Sequence, residues 1–218
     1  MAAVAGRAGR REALPRRWRH ERAAGVTRSP LLGFIARVFA WLPAAFVVWY
    51  FAAPVLMWPV ALLVELVARS AFGDLVRDVE QAGSVLVFAT ALKPGSTLTR
   101  GAEITVDVNM LLYSFGLPLY AALVLAAREP GWARRLLAGY AALIPFVAWG
   151  VLADFLQAIA ITSGPQIASQ TGFVAWQREA IVFFYQFGTL ILPTVVPAVL
   201  WVLTHRGFLE RLRTGPGD

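Results

Sequence analysis

The sequence predicts an α-helical integral membrane protein with four transmembrane helices, both termini cytoplasmic, and a small extracytoplasmic cap between spans one and two. Three observations carry this expectation. The 218 residues are 58% hydrophobic and 15% charged, more apolar than a soluble domain of this length. Four apolar segments are long enough to cross a hydrocarbon core of about 30 Å. The basic residues fall asymmetrically around those segments, which sets orientation through the excess of Lys and Arg on the cytoplasmic side.

The elements follow in order. Residues 1–30 form a basic tail, expected to be disordered and cytoplasmic, with eight arginines (7, 10, 11, 16, 17, 19, 22 and 28) against Glu12 and Glu21. Beside a membrane span such a tail fixes topology and rests against anionic lipid headgroups, so no nucleic acid is expected as a partner. The first span is assigned to 31–59. Pro54 and Pro59 lie late in it, where a missing amide donor and a clash with the preceding turn kink or end a helix. Pro59 then opens an amphipathic helix from Val60 to Val79, lying along the outer surface. Its Leu62, Leu63, Leu66, Phe72, Leu75, Val76 and Val79 recur at helical spacing among Glu65, Arg69, Asp74, Arg77 and Asp78, with Gly73 as a breaker.

Beyond Gly83 the period becomes two. "SVLVFATAL", the turn chemistry of Lys93-Pro94-Gly95 and the alternating "AEITVDV" predict a β-hairpin, completing a cap over 60–108. An isolated hairpin is marginal in water, so it should pack on the helix, the bilayer or a partner, and its exposed edge is open in principle to strand addition. The second span is 109–128, followed by a cytoplasmic loop 129–135. The third span is 136–162, with an extracytoplasmic loop 163–179, and the fourth is 180–205, with a cytoplasmic tail 206–218. This arrangement places fourteen arginines inside and Arg69, Arg77, Lys93, Arg100 and Arg178 outside. Pro145, Pro193 and Pro197 predict kinks within spans three and four.

The chemistry is sparse. The chain has no cysteine, which removes disulfides, thiolate metal sites and cysteine nucleophiles together. His20 lies in the tail and His205 at the inner end of the fourth span, neither within reach of an outer or mid-membrane serine. Neither HExxH nor a P-loop is present. No enzyme, metal or cofactor is expected.

Two groups of polar residues need a physical explanation. Asp154 and Gln157, three apart, share one helix face near the outer end of the third span, while Arg178, Glu179, Tyr185 and Gln186 mark the outer start of the fourth. An intramembrane acid needs a partner, and an Asp154–Arg178 pair is the expected one; the functional alternative is a polar cluster that contacts a substrate segment or partner helix. The second group is the junction of cap and span two. There Asn109 is placed as an N-cap, Tyr113 at headgroup depth, and Gly116 and Pro118 one turn later, where they bend the helix or permit close packing.

The segments "VEQAGSVLVFAT" (79–90), "VDVNMLLYSFGLPLYAALVLA" (106–126), "IPFVAWGVLADFL" (144–156) and "YQFGTLILPTVVPAVLW" (185–201) resemble the exosortase H-associated membrane proteins of bacteria. In that family's pattern a proline often follows the asparagine; here Met110 follows Asn109. The resemblance implies a bacterial inner-membrane accessory protein without catalytic residues, working beside an exosortase and its sorting-signal substrates. It also implies a division of labour, because an exosortase resembles a multi-span enzyme with a cysteine, arginine and histidine active site, and this chain has no cysteine. A small oligomeric membrane transporter or channel is the alternative, since kinked helices and one buried acid can line a path.

Overall fold

The structure, a computed structural model, describes residues 30–94 and 103–214, with side chains through 210. Most of these residues are helical. Three helical segments are long and apolar enough to cross a membrane: Leu31–Leu56, Trp132–Thr162 and Ala175–Thr204. The segment expected as the second span is shorter, Leu111–Ala127. The basic tail and most of the Lys93–Pro94–Gly95 turn region lie outside the described residues.

Helix α1 (Pro30–Leu56) leads almost without interruption into α2 (Trp58–Phe72). Met57, fully buried, bridges them, receiving a bond from Ala61 and donating to Ala53. Pro59 sits in the first turn of α2, where its missing amide costs nothing. Val60, Val64 and Ala68 face inward at spacings of four, whereas Leu62 and Leu66 remain exposed and Glu65 pairs with Arg69 at 2.9 Å. The helix is thus two-faced, with the apolar inner stripe in the protein core and leucines mixed with a charged pair on the other side.

The expected helix to Val79 is corrected at this point. α2 stops at Phe72, and Val76–Ala82 forms strand β1, the first of three antiparallel strands rather than part of a helix preceding a two-stranded hairpin. Strand β2 spans Val85–Thr90 and β3 Thr105–Asn109, in the spatial order β1-β2-β3. The first connection is the two-residue turn Gly83-Ser84, with Gly83 at φ 65°, where a side chain would be strained. Gln81 donates to the Pro54 carbonyl at 2.8 Å, tying this turn to the last turn of α1. Pairing of β2 with β3 agrees with the expected hairpin, and so does the alternation: Val106 and Val108 are buried while Thr105, Asp107 and Asn109 are exposed.

The buried face of the sheet, with Val76, Val79, Leu86, Phe88, Val106 and Val108, packs on α2 and on α5 (Trp132–Gln157). From α5, Val147, Val151 and Phe155 enter this core at four-residue spacing, followed by Ile159. Phe88 and Phe155 stack with ring centroids 4.2 Å apart. The cap is therefore continuous with the bundle core.

After β3 the chain makes one short turn, α3 (Leu111–Ser114), and then α4 (Gly116–Ala127). The break at Phe115 has a cause in Pro118, whose ring opposes the carbonyl of residue 114 and which donates no amide to it. Helix α5 starts at Trp132, four residues before the expected third span, and continues as a π-helical turn over Ala158–Thr162. The loop that follows is also structured, holding α6 (Pro165–Ala168) and a 3-10 turn over Ser169–Thr171. Helix α7 (Ala175–Gln186) begins five residues before the expected fourth span, passes through a second π-helical turn at Phe187–Ile191 and becomes α8 (Leu192–Thr204). Pro193 follows that wide turn, and Thr194 returns its hydroxyl to the Leu190 and Ile191 carbonyls at 3.1 and 3.2 Å. The last segment, expected as a tail, begins with helix α9 (Arg206–Thr214).

A second core lies at the end of the bundle away from the cap. Phe34 stacks on Trp201 at 5.2 Å, and Trp201 on His205 at 5.3 Å. Tyr120, Val124 and Leu143 fill this core, and Phe208 and Leu209 of α9 close it. Glu129 and Arg135 pair at 2.6 Å beside it.

Candidate functional site

The site is built at the junction between cap and bundle. Asn109, the last residue of β3, accepts the Leu111 amide on its side-chain oxygen at 3.0 Å. This is the local bond expected of a residue that starts a helical turn. The Met110 amide donates to Ser84 at 3.0 Å, so the sheet continues up to the first residue before α3.

Tyr113, expected as an interfacial residue at headgroup depth, packs inside the bundle. It is 3% exposed and lies across Gly150 of α5, where an added Cβ would overlap the tyrosine ring. Gly150 in turn meets Gly188 of the second π turn, close enough that a Cβ on Gly188 would stand 3.1 Å from the Gly150 Cα. Small residues let the helix backbones approach here, the usual means of tight packing between membrane helices. Gly116 does the same for α4 and α8: its Cβ would come 2.5 Å from the Pro193 carbonyl oxygen and 2.6 Å from Pro197. Pro118 faces another direction and lines, with Ala121 of α4, an apolar groove against Trp41, Ala44 and Ala45 of α1.

The Tyr113 hydroxyl donates toward the half-buried Asp154 carboxylate, with Tyr185 and Thr189 also interacting with the phenol. The two expected groups thus converge in part. Tyr113 of the junction, Asp154 of α5 and Tyr185 of α7 share one polar cluster, joined by Thr189, which sequence reasoning did not single out. Its signal was weak: Thr189 also returns a hydroxyl bond to the Tyr185 carbonyl at 2.8 Å, an ordinary role for a helical threonine.

The expected Asp154–Arg178 pair is corrected. The partner of Asp154 is the Tyr113 hydroxyl, whereas the Arg178 guanidinium donates to the Ala168 carbonyl at 3.4 Å. Its Nε is buried without a hydrogen-bond partner among the described residues. Arg178, Glu179 and Gln186 instead line an open depression with Ile161, Val182 and Phe183. Gln157 is half-buried, one turn beyond Asp154 on α5. The cluster offers hydrogen-bonding groups and one carboxylate. Among the described residues no three His, Cys, Asp or Glu side chains converge as metal ligands.

At the opposite end His205 is buried. Its Nδ1 lies 3.1 Å from the Trp201 carbonyl and 3.0 Å from the Thr204 hydroxyl, while Nε2 has no partner among the described residues. The ring is a packing element against Trp201.

No curated protein and no solved structure matches the chain. The family model described as exosortase H-associated membrane protein matches residues 28–208, which include α1, α2, the whole sheet, the junction and all three long helical segments. The chain belongs to the family of exosortase H-associated membrane proteins.

Proposed function

We propose that this protein is a non-catalytic accessory subunit of an exosortase-type protein-sorting system in the bacterial inner membrane. In this reading α1, α3–α4, α5 and α7–α8 are four crossings, both termini are cytoplasmic, and α2 with the sheet lies outside. The cap and the outer ends of α5 and α7, with Arg178, Glu179 and Gln186, contact exosortase H or its substrate. Anionic lipids hold the basic tail.

The observation that carries this reading, together with the family, is the continuous contact from sheet to bundle. Phe88 stacks on Phe155, and Tyr113 is held between Gly150 and Asp154. A protein whose external cap is fixed rigidly to its spans suits the task of presenting one surface at a set height above the membrane. Within a packed core, shape changes propagate because interiors are as dense as organic crystals.

The test is genetic and biochemical. In a strain carrying exosortase H, the tagged chain should co-purify with that enzyme, and deletion of the gene should impair processing of the enzyme's substrates. Normal processing in the deletion strain, with no co-purification, would sink the proposal. Topology reporters fused within 84–108 should report from the outer side, and a cytoplasmic signal there would overturn the orientation.

A further inference from the structure

The β2–β3 pairing determines which way each main-chain group of β3 points. Thr90 donates to the Ile104 carbonyl and Met110 to the Ser84 carbonyl, both at 3.0 Å. Between them the register runs Ala89 with Thr105, Phe88 with Val106, Val87 with Asp107 and Leu86 with Val108. Hydrogen-bonded pairs recur at every second residue of an antiparallel ladder, so Val106 and Val108 turn their amides and carbonyls toward β2. Thr105 and Asp107 therefore turn theirs to the outer edge. β3 is the terminal strand of the sheet, and among the described residues the main-chain groups of Thr105 and Asp107 have no hydrogen-bond partner.

Charge adds a second, independent feature. Two acids at the sheet are satisfied locally, Asp78 by Arg69 at 2.8 Å and Glu103 by Arg77 at 2.6 Å, whereas Glu80 on β1, like Asp107 on β3, is exposed without an ion pair among the described residues. Asp107 is exposed on the edge strand and makes no ion pair among the described residues. An incoming strand that placed Lys or Arg opposite or diagonal to Asp107 would form the favourable cross-strand pair that this sheet now lacks. Unpaired edges also invite unwanted association and are commonly blunted by proline or a bulge. β3 has neither, and the single irregularity in the pairing lies on β1, between Val76 and Asp78.

We infer that the outer edge of β3 accepts an extended segment of exosortase H by strand addition, main-chain groups of Thr105 and Asp107 supplying the ladder and Asp107 selecting a basic residue. The inference rests on the accessory reading above and names the surface that reading leaves open. Main-chain bonds give such a complex its affinity and the alternate side chains its specificity.

The absence of cysteine makes the test direct, because Thr105→Cys carries a single thiol. In membranes co-expressing exosortase H, a thiol-to-amine crosslinker should join Thr105→Cys to the enzyme, and Glu80→Cys on the opposite edge strand should not. Asp107→Pro removes an amide that faces away from β2, a position where an edge strand tolerates proline. It should keep the thermal unfolding of the parent and lower exosortase H co-purification about tenfold, the size expected for loss of a ladder bond plus its register. Asp107→Lys keeps the amide and should lower co-purification several-fold through the charge alone, so the inference stays testable if the proline variant is destabilised. Crosslinking only to a second copy of the chain, or only to an exported substrate, overturns the inference. So does unchanged co-purification by both variants. If the parent protein co-purifies with exosortase H and Thr105→Cys finds nothing, strand addition is wrong and the accessory role stands; if the parent fails to co-purify, both fall.

Discussion

Removing the Tyr113 hydroxyl should weaken the protein by an amount that depends on Asp154. Tyr113→Phe keeps the ring over Gly150 and removes only the donor to the carboxylate. Hydrogen bonds to charged groups are worth about 1.5–3 kcal/mol in soluble proteins, whereas interhelical ones in membranes average about 0.6 and reach about 1.7. Tyr113 is 3% exposed and its partner is a carboxylate, so the upper end applies, about 1.5 kcal/mol. Asp154→Leu removes the acceptor and leaves the phenol facing an apolar group. The double variant loses both members of the pair, so it should be less destabilised than the sum of the singles by about 1–1.5 kcal/mol. Denaturant or SDS titration of the purified protein in mild detergent micelles, followed by tryptophan fluorescence, measures all four corners of the cycle. Arg178→Ala supplies the comparison, because an Asp154–Arg178 ion pair would couple those two sites instead. Additivity within about 0.3 kcal/mol for Tyr113 and Asp154, or stronger coupling of Asp154 to Arg178, would refute the assignment.

Other expected outcomes use the same unfolding assay. Gly116→Ala should cost about 1–3 kcal/mol because the new methyl meets the Pro193 backbone carbonyl, while Gly33→Ala, with no atom within 4 Å, should be neutral or gain up to about 1 kcal/mol of helix propensity. Phe88→Ala and Phe155→Ala should each cost about 3–5 kcal/mol, and the double variant should fall short of their sum by about 0.5–1.5 kcal/mol, the worth of the stacked pair.

The apolar segments were legible because hydrophobic length is a direct demand of the bilayer. The helices begin a few residues before the expected spans, since Trp132–Arg135 and Ala175–Glu179 are polar enough to read as loop yet already helical. β1 was misread for a physical reason. A bulge between Val76 and Asp78 inserts one residue into the strand, so its buried positions, Val76 and Val79, fall three apart instead of two. Three is a helical spacing, and the alternation that marks a strand is hidden. β3 has no such bulge, and its alternation could be read directly. The partner of Asp154 was missed differently: opposite charge pointed to Arg178, 24 residues along the chain, whereas a phenol from an earlier helix reaches the carboxylate. Depth in a helical bundle is not a function of sequence separation, and a tyrosine near a span end reads equally as an interfacial anchor.

The placement of Tyr113 also explains why junction and cap should be treated as one unit. On α5, Gly150 and Asp154 are four residues apart and therefore share a face, which receives Tyr113. Val147, Val151 and Phe155 form an adjacent stripe, which receives the sheet and α2. The chain enters the bundle from β3 at Asn109, so only three residues separate the edge strand from the phenol that is locked onto α5. A force on β3 is thus delivered to α5 by two routes, through Phe88 and Phe155 and through the Asn109 turn and Tyr113. At Gly150 the same helix touches Gly188, and the π turn there is followed by Pro193, which abuts Gly116 just beyond the junction. The contacts close a ring from sheet to α5, to the π turn, to α8 and back to α4. Engagement of the β3 edge would therefore act on the cap-proximal half of the bundle, because each member of that ring packs against the next.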